Sequence, residues 1–107
     1  MQAIHGLKEA IETVIQETQT SIEDRLRIEI IDEGTLMVHN QTVSFTEEIE
    51  NFDASVSMTS EVYMNILTEK LNPFVAVTLG KLKLSGDVMK FRQLAKIMRT
   101  AKDRGIV

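Results

Sequence analysis

The stretch NPFVAVTLGKLKLSGDVMKF, Asn72–Phe91, decides how this chain is built. Asn72 stands before Pro73, and an asparagine cap with proline in the first turn starts a helix. The apolar run ends at Gly80, where glycine stops a helix by accepting a left-handed backbone. Lys81–Ser85 then alternates by two, with Leu82 and Leu84 on one face and Lys81, Lys83 and Ser85 on the other, which is a strand. Gly86 turns the chain, and Asp87 begins a last helix. Its apolar stripe holds Val88, Phe91, Leu94, Ala95 and Met98, widened by Met89, Ile97 and Ala101. Two glycines beside lysines also raise the question of a phosphate loop. That motif needs four residues between its glycines, then Lys and Ser/Thr, so that amides and lysine converge on phosphate. Five residues separate Gly80 from Gly86, and Asp87, which would repel phosphate, follows. The nucleotide reading fails.

The same periodicities run back toward the N-terminus. Ile4, Leu7, Ile11, Val14 and Ile15 have helical spacing over residues 3–19, and Thr18–Asp24 reads as a polar break. Arg25–Ile31 alternates, with Leu26, Ile28 and Ile30 on one face. Asp32–Gly34 is a turn. Thr35–His39 and Thr42–Thr46 are strands around the short turn Asn40–Gln41. Phe52–Met58 alternates again, and Thr59 or Ser60 caps a helix reaching Lys70. The order is helix, four strands, two helices, strand, helix. Each strand is apolar on one face only, so the fold class is α+β, a five-stranded sheet with helices covering its apolar face.

The chain has 107 residues, which predicts one domain over 1–107. With 43% hydrophobic and 26% charged residues it has the make-up of a soluble globular domain. No cysteine is present, which removes disulfides, thiol catalysis and cysteine zinc sites. No apolar run approaches the roughly 20 residues of a membrane span, and MQAIHGLKEAIETVIQ lacks the layout of a signal peptide. The expectation is a cytoplasmic protein. Charge is uneven: residues 1–50 carry three basic and eleven acidic side chains, and residues 87–107 carry six basic and two acidic ones. The net charge of −4 argues against a nucleic-acid partner. The basic C-terminal helix remains a contact surface for an anionic membrane, or lies in water or near the acidic N-terminal helix.

The residue types that carry chemistry are sparse. His5 and His39, the two histidines, lie in different elements without metal-ligand spacing. Asp53 and Asp87 read as a strand-edge aspartate and a helix cap. No serine lies in a nucleophile elbow. The reading is no enzyme, no cofactor and no metal. Apolar lining is plentiful instead. The sheet supplies Leu26, Ile28, Leu36, Val38, Val43, Phe45, Val56, Met58, Leu82 and Leu84, all expected to face inward. The helices supply Val62, Ile66, Leu67, Phe74, Val77, Met89, Leu94 and Met98. Most domains of this size need such a core, but six methionines suit an adaptable apolar pocket.

Residues Phe52–Leu94, FDASVSMTSEVYMNILTEKLNPFVAVTLGKLKLSGDVMKFRQL, resemble the sterol carrier protein type-two family, the nonspecific lipid-transfer domain. The resemblance rests on Asp53 in its strand, the helix Ser60–Lys70, the step Leu71–Asn72–Pro73, and the Gly80–Asp87 strand leading into the last helix. RIEIIDEGTLMV is similar to the family's first hairpin, and the likeness covers about residues 25–101. TEEIENF, Thr46–Phe52, stands where the family has a glycine-containing turn. The resemblance implies a mostly antiparallel sheet with helices on one face and a hydrophobic tunnel between the layers. It implies a lipid or fatty-acyl ligand (a fatty acid, acyl-CoA, phospholipid or sterol) and no catalytic residues. The alternative is an accessory or scaffold subunit in lipid or quinone metabolism, its tunnel partly filled. The lipid-contact positions it implies are the inward-facing residues named above, Val43 apart.

Overall fold

The computed structural model describes residues 2–107. It begins with α1 (Ala3–Thr18), then β1 (Ile22–Ile30), β2 (Gly34–Asn40), β3 (Thr42–Phe45) and β4 (Ala54–Met58). Next come α2 (Ser60–Leu67), α3 (Pro73–Thr78), β5 (Lys83–Gly86), a 3-10 turn over Val88–Lys90, and α4 (Phe91–Asp103). The sheet order is β3-β2-β1-β4-β5. Neighbours are antiparallel except β1 and β4, which run parallel with Leu26 opposite Ala54 and Ile30 opposite Met58.

The first strand starts earlier than the sequence pattern predicts. Ile22, inside the supposed polar break, is fully buried and pairs with Asn40. The register slips between Ile22 and Leu26, so strict alternation cannot be followed back through Asp24. At the other end β5 pairs over Lys83–Gly86 rather than from Lys81.

The core lies between the sheet and α1. Ile4, Leu7, Ile11, Val14 and Ile15 of α1 meet Ile22, Leu26, Ile28, Ile30, Leu36 and Val38 of the sheet, all at most 3% exposed. Glu33, in the turn between β1 and β2, accepts a hydrogen bond from the Ile4 amide at 2.8 Å. An anion thus meets the free amides and positive dipole end of α1 and ties the helix to the sheet.

The sheet's other face is not simply wet. The link Thr46–Asp53 travels from edge strand β3 to β4, and two arginines of β1 hold it. Arg27 Nε donates to the Glu48 carbonyl and Arg25 Nε to the Asn51 carbonyl, each at 2.8 Å. Arg27 also donates to Ser55 Oγ and stacks over Phe52. Asp53 closes the link: its carboxylate accepts the Arg25 amide, and its own amide donates to the Arg25 carbonyl.

The decisive stretch folds by the devices its residues allow. The Asn72 side chain accepts the Phe74 amide at 2.8 Å, with Pro73 in the first turn of α3. Gly80 at φ 73° ends that helix, its amide and that of Lys81 returning to the Val77 and Ala76 carbonyls. Gly86 at φ 77° is required for a second reason: a Cβ there would collide with the Asp53 carbonyl oxygen. Asp87 then donates its amide to that carbonyl and caps the 3-10 turn through Met89.

Candidate functional site: a cavity between the sheet and helices α2–α4

The helices after β4 are short. Eight residues of α2 and six of α3 give rods of about 12 and 9 Å at 1.5 Å per residue. These cannot cover the β4–β5 half of the sheet as α1 covers the other. α4 is longer, and its buried pair is Ile97 and Ala101, while Phe91, Leu94 and Met98 on a neighbouring stripe stay partly buried. A cavity of about 470 Å3 opens between these helices and the sheet. Its walls are Ile28, Val56, Met58 and Leu82 from the sheet side, Tyr63, Ile66, Leu67 and Pro73 from α2 and α3, Leu94 and Met98 from α4, and Leu7 from α1. A dry, closed void of that size would cost on the order of 10 kcal/mol at ~24 cal/mol per Å3, comparable to the whole stability of a domain. The space is therefore one that water or a ligand fills.

Charge is confined to the rim. Glu69, Arg99, Lys102 and Asp103 line the cavity's edge. Lys102 on α4 pairs with Glu69, which follows α2, and this bond and charge hold the Glu69 carboxyl below the ordinary glutamate range. Inside, the one polar wall group is the Tyr63 phenol, and burial pushes its pKa up to about 12. Tyr63 therefore stays neutral in a wall that is otherwise apolar.

Of the positions expected to face inward, Ile28, Val56, Met58, Ile66, Leu67, Leu82, Leu94 and Met98 converge on this cavity. Leu26, Leu36 and Val38 are fully buried in the α1 core instead. Val62 lines a separate surface hollow with Thr59, Leu71 and Lys83. Five face water: Phe45, Phe74, Val77, Leu84 and Met89. Phe74, in the first turn of α3, is 83% exposed. Phe45 and Leu84 sit on the two edge strands, where one flank of each side chain is left uncovered. Phe45 instead packs edge-on against His5 at 5.4 Å, with Lys8 above it.

Leu7, Tyr63, Arg99 and Lys102 belong to the cavity but not to the expected set. Tyr63 had a signal, lying three and four residues before Ile66 and Leu67 on one helical face. Arg99 and Lys102 had one too, one and four residues after Met98, but charge on a helix reads first as a solvated face. The groups weighed for acid–base work lie elsewhere. His39 Nδ1 faces the Asp24 carbonyl at 3.3 Å, Asp53 is spent on the Arg25 amide, and Asp87 is a cap. Among the described residues no cluster of three metal-ligating side chains occurs.

A mixed five-stranded sheet, helices on one face and an apolar cavity between them set the terms of comparison. The model of the SCP-2 sterol transfer family matches residues 6–99. The chain belongs to that family. Among solved structures it is similar to a UbiJ-SCP2 ubiquinone synthesis protein, with 17% identity over 91% of this chain and 93% of that one, at a TM-score of 0.65. It is similar to sterol carrier protein-2 like-3 from Aedes aegypti, with 14% identity over 94% and 98% of the two chains and a TM-score of 0.64. Palmitated SCP2L2 from the same organism matches with 19% identity over 91% and 95%, TM-score 0.60. At these identities the likeness shows the fold. No curated protein sequence matches the chain. No helix among the described residues is long and apolar enough to cross a membrane.

Proposed function

We propose that this SCP-2 domain, folding as one unit over residues 1–107, is a non-catalytic carrier of a single-chain amphiphile. The observation that carries the reading is the 470 Å3 apolar cavity with charge only at its rim. Water occupies about 30 Å3 in bulk and a methylene is of similar size, so the cavity has room for about fifteen such groups. That is one alkyl chain, not the two of a diacyl phospholipid. Ten buried methylenes contribute about 8 kcal/mol, the scale of micromolar binding, and the further groups offset ordering costs. At the rim Lys102 is paired with Glu69 and Asp103 stands nearby, so it is Arg99 that would favour a carboxylate or phosphate head where the chain emerges. The ligand contacts are then the eight converging positions together with Leu7 and Tyr63. The basic surface of α4, with Arg92, Lys96 and Arg99 exposed, is the face that meets an anionic bilayer during uptake and release.

Native followed by denaturing mass spectrometry of the purified protein tests this, paired with displacement of a fluorescent fatty acid. A co-purified lipid or saturable displacement is the expected result; neither one would sink the carrier reading. A second reading has its own observation. Phe74 and Val75 in α3, Leu79 just after it, and Val88 and Met89 in the 3-10 turn are exposed apolar side chains, of the kind a subunit contact would cover. The chain would then be an accessory in lipid or quinone metabolism, in keeping with its likeness to a ubiquinone synthesis protein. A stable complex isolated from cells with no lipid bound would favour it.

A further inference from the structure

Leu7, Tyr63 and Leu67 have empty space on two sides. They line the cavity described above, and they also line a hollow of about 510 Å3 between α1, α2 and the C-terminal residues Ile106 and Val107. The two spaces are back to back, and these three side chains are what they share. Ala3, Ala10 and Met64 continue the apolar wall of the second space, while His5 and Glu9 stand at its polar margin.

A second observation comes from Gly6. It lies inside α1, where glycine weakens a helix relative to alanine. A helical glycine is usually explained by a neighbour that leaves no room for a Cβ. Here a Cβ would meet nothing within 4 Å, and the backbone there is ordinary helix. Gly6 lines the second hollow. Gly6 is exposed on that side of the helix, so a side chain added there would reach toward the hollow or into water.

We propose that the two hollows are one binding site for a hydrocarbon chain longer than the first cavity holds. Tyr63 is the partition that the chain displaces, and Gly6 keeps the far half empty. Tyr63 turns about two side-chain torsions, and space lies on either side of it. This rests on the carrier reading, since it is that ligand's chain which continues past Tyr63. It makes Tyr63 and Gly6 determinants of chain length.

The test compares laurate, which the first cavity holds alone, with arachidate, which overruns it. Affinities come from displacement of a fluorescent fatty acid, for the natural chain and for Gly6→Phe, with Gly6→Ala reporting on helix effects. Gly6→Phe fills the second hollow, so the ratio of arachidate to laurate affinity should fall at least tenfold, the effect of denying burial to two methylenes or more. Gly6→Ala should move that ratio little. An unchanged ratio in Gly6→Phe overturns the proposal while leaving the carrier reading intact. Failure of both acids to displace the probe from the natural chain overturns the carrier reading itself. A second measurement needs no variant. Tyr63 is the one tyrosine and there is no tryptophan, so intrinsic emission reports on the partition alone. Arachidate should change that emission and laurate should change it far less; equal responses overturn the proposal.

Discussion

The sheet has a packed half and a hollow half. Over β1–β3, α1 lays six apolar side chains onto the strands, and Ile4, Ile11, Ile22, Leu26, Ile30, Leu36 and Val38 are fully buried. Over β4 and β5, helices α2, α3 and α4 leave Ile66, Leu67, Leu94 and Met98 only partly buried around a cavity. The two halves have similar side chains. What differs is how the cover is divided: one sixteen-residue helix, α1, against α2 of eight residues, α3 of six and α4 of thirteen. Open space in this fold therefore arises from incomplete cover rather than from special residues. The packed half supplies the stability that lets the other half remain open.

The sharpest way to break that contrast is the same truncation on both sides. Leu26→Ala in the packed half should cost about 3–5 kcal/mol, the range for a leucine whose surroundings cannot collapse. Leu94→Ala borders space that is already open, so it should cost only about 1 kcal/mol. Denaturant unfolding of both variants checks this. Equal losses would mean that the cavity wall is as tightly held as the core.

Glycine→alanine makes the next comparison. Gly86 has φ 77° and faces the Asp53 carbonyl, so Gly86→Ala meets both a left-handed backbone and a collision. It should destabilise by about 2 kcal/mol or more. Gly6→Ala has neither obstacle and should stabilise the helix by about 0.5–1 kcal/mol. Thermal unfolding should therefore move in opposite directions for one and the same chemical change.

Much of this arrangement is legible in the amino-acid pattern alone. Alternation in Arg25–Ile31 and Phe52–Met58, and helical spacing in Ile4–Ile15, lead to the right elements in the right order. What periodicity reports is which face a side chain shares, not whether anything covers that face. Phe45, Leu84 and Phe74 keep the right period and still meet water, the first two on edge strands with one flank uncovered and the third in the first turn of α3. Ile22 is hidden by its polar neighbours and by a slip in register that interrupts the alternation. The cavity is legible only as a surplus of apolar side chains. Its rim is not, because Arg99 and Lys102 differ in no local respect from solvated cations. The family resemblance implies a space between the layers; the division of the cover among α2, α3 and α4 supplies its cause.

Alkaline titration probes the hollow half through Tyr63. Its phenol is raised to about 12 by burial, against an ordinary value of 10.0. A group whose folded pKa lies above its unfolded one adds stability that is complete below the unfolded value. Between about pH 10 and 12 that contribution, about 2–3 kcal/mol, is progressively lost. Stability measured across this window should fall in the natural chain, and Tyr63→Phe should remove that part of the fall. An unchanged alkaline limb in Tyr63→Phe would place the titrating group elsewhere.

The smallest expected effect lies at the seam between the halves. Asp32, in the turn after β1, accepts hydrogen bonds from the hydroxyl and the amide of Ser60 at the start of α2. Those bonds lower its pKa below the ordinary 3.8, the hydroxyl first. A depressed carboxylate contributes stability above its unfolded pKa and loses it as pH falls through the folded one. The contribution should therefore be constant at neutral pH and fade only below about pH 4. Ser60→Ala removes the larger cause, so the difference in stability between variant and natural chain should shrink as the solution is acidified. Because Asp32 is at the surface, salt should weaken the effect as well. If instead the difference persists unchanged to low pH, Ser60 acts as a helix-start residue and not as Asp32's partner, and the packed half does not grip the hollow half at this point.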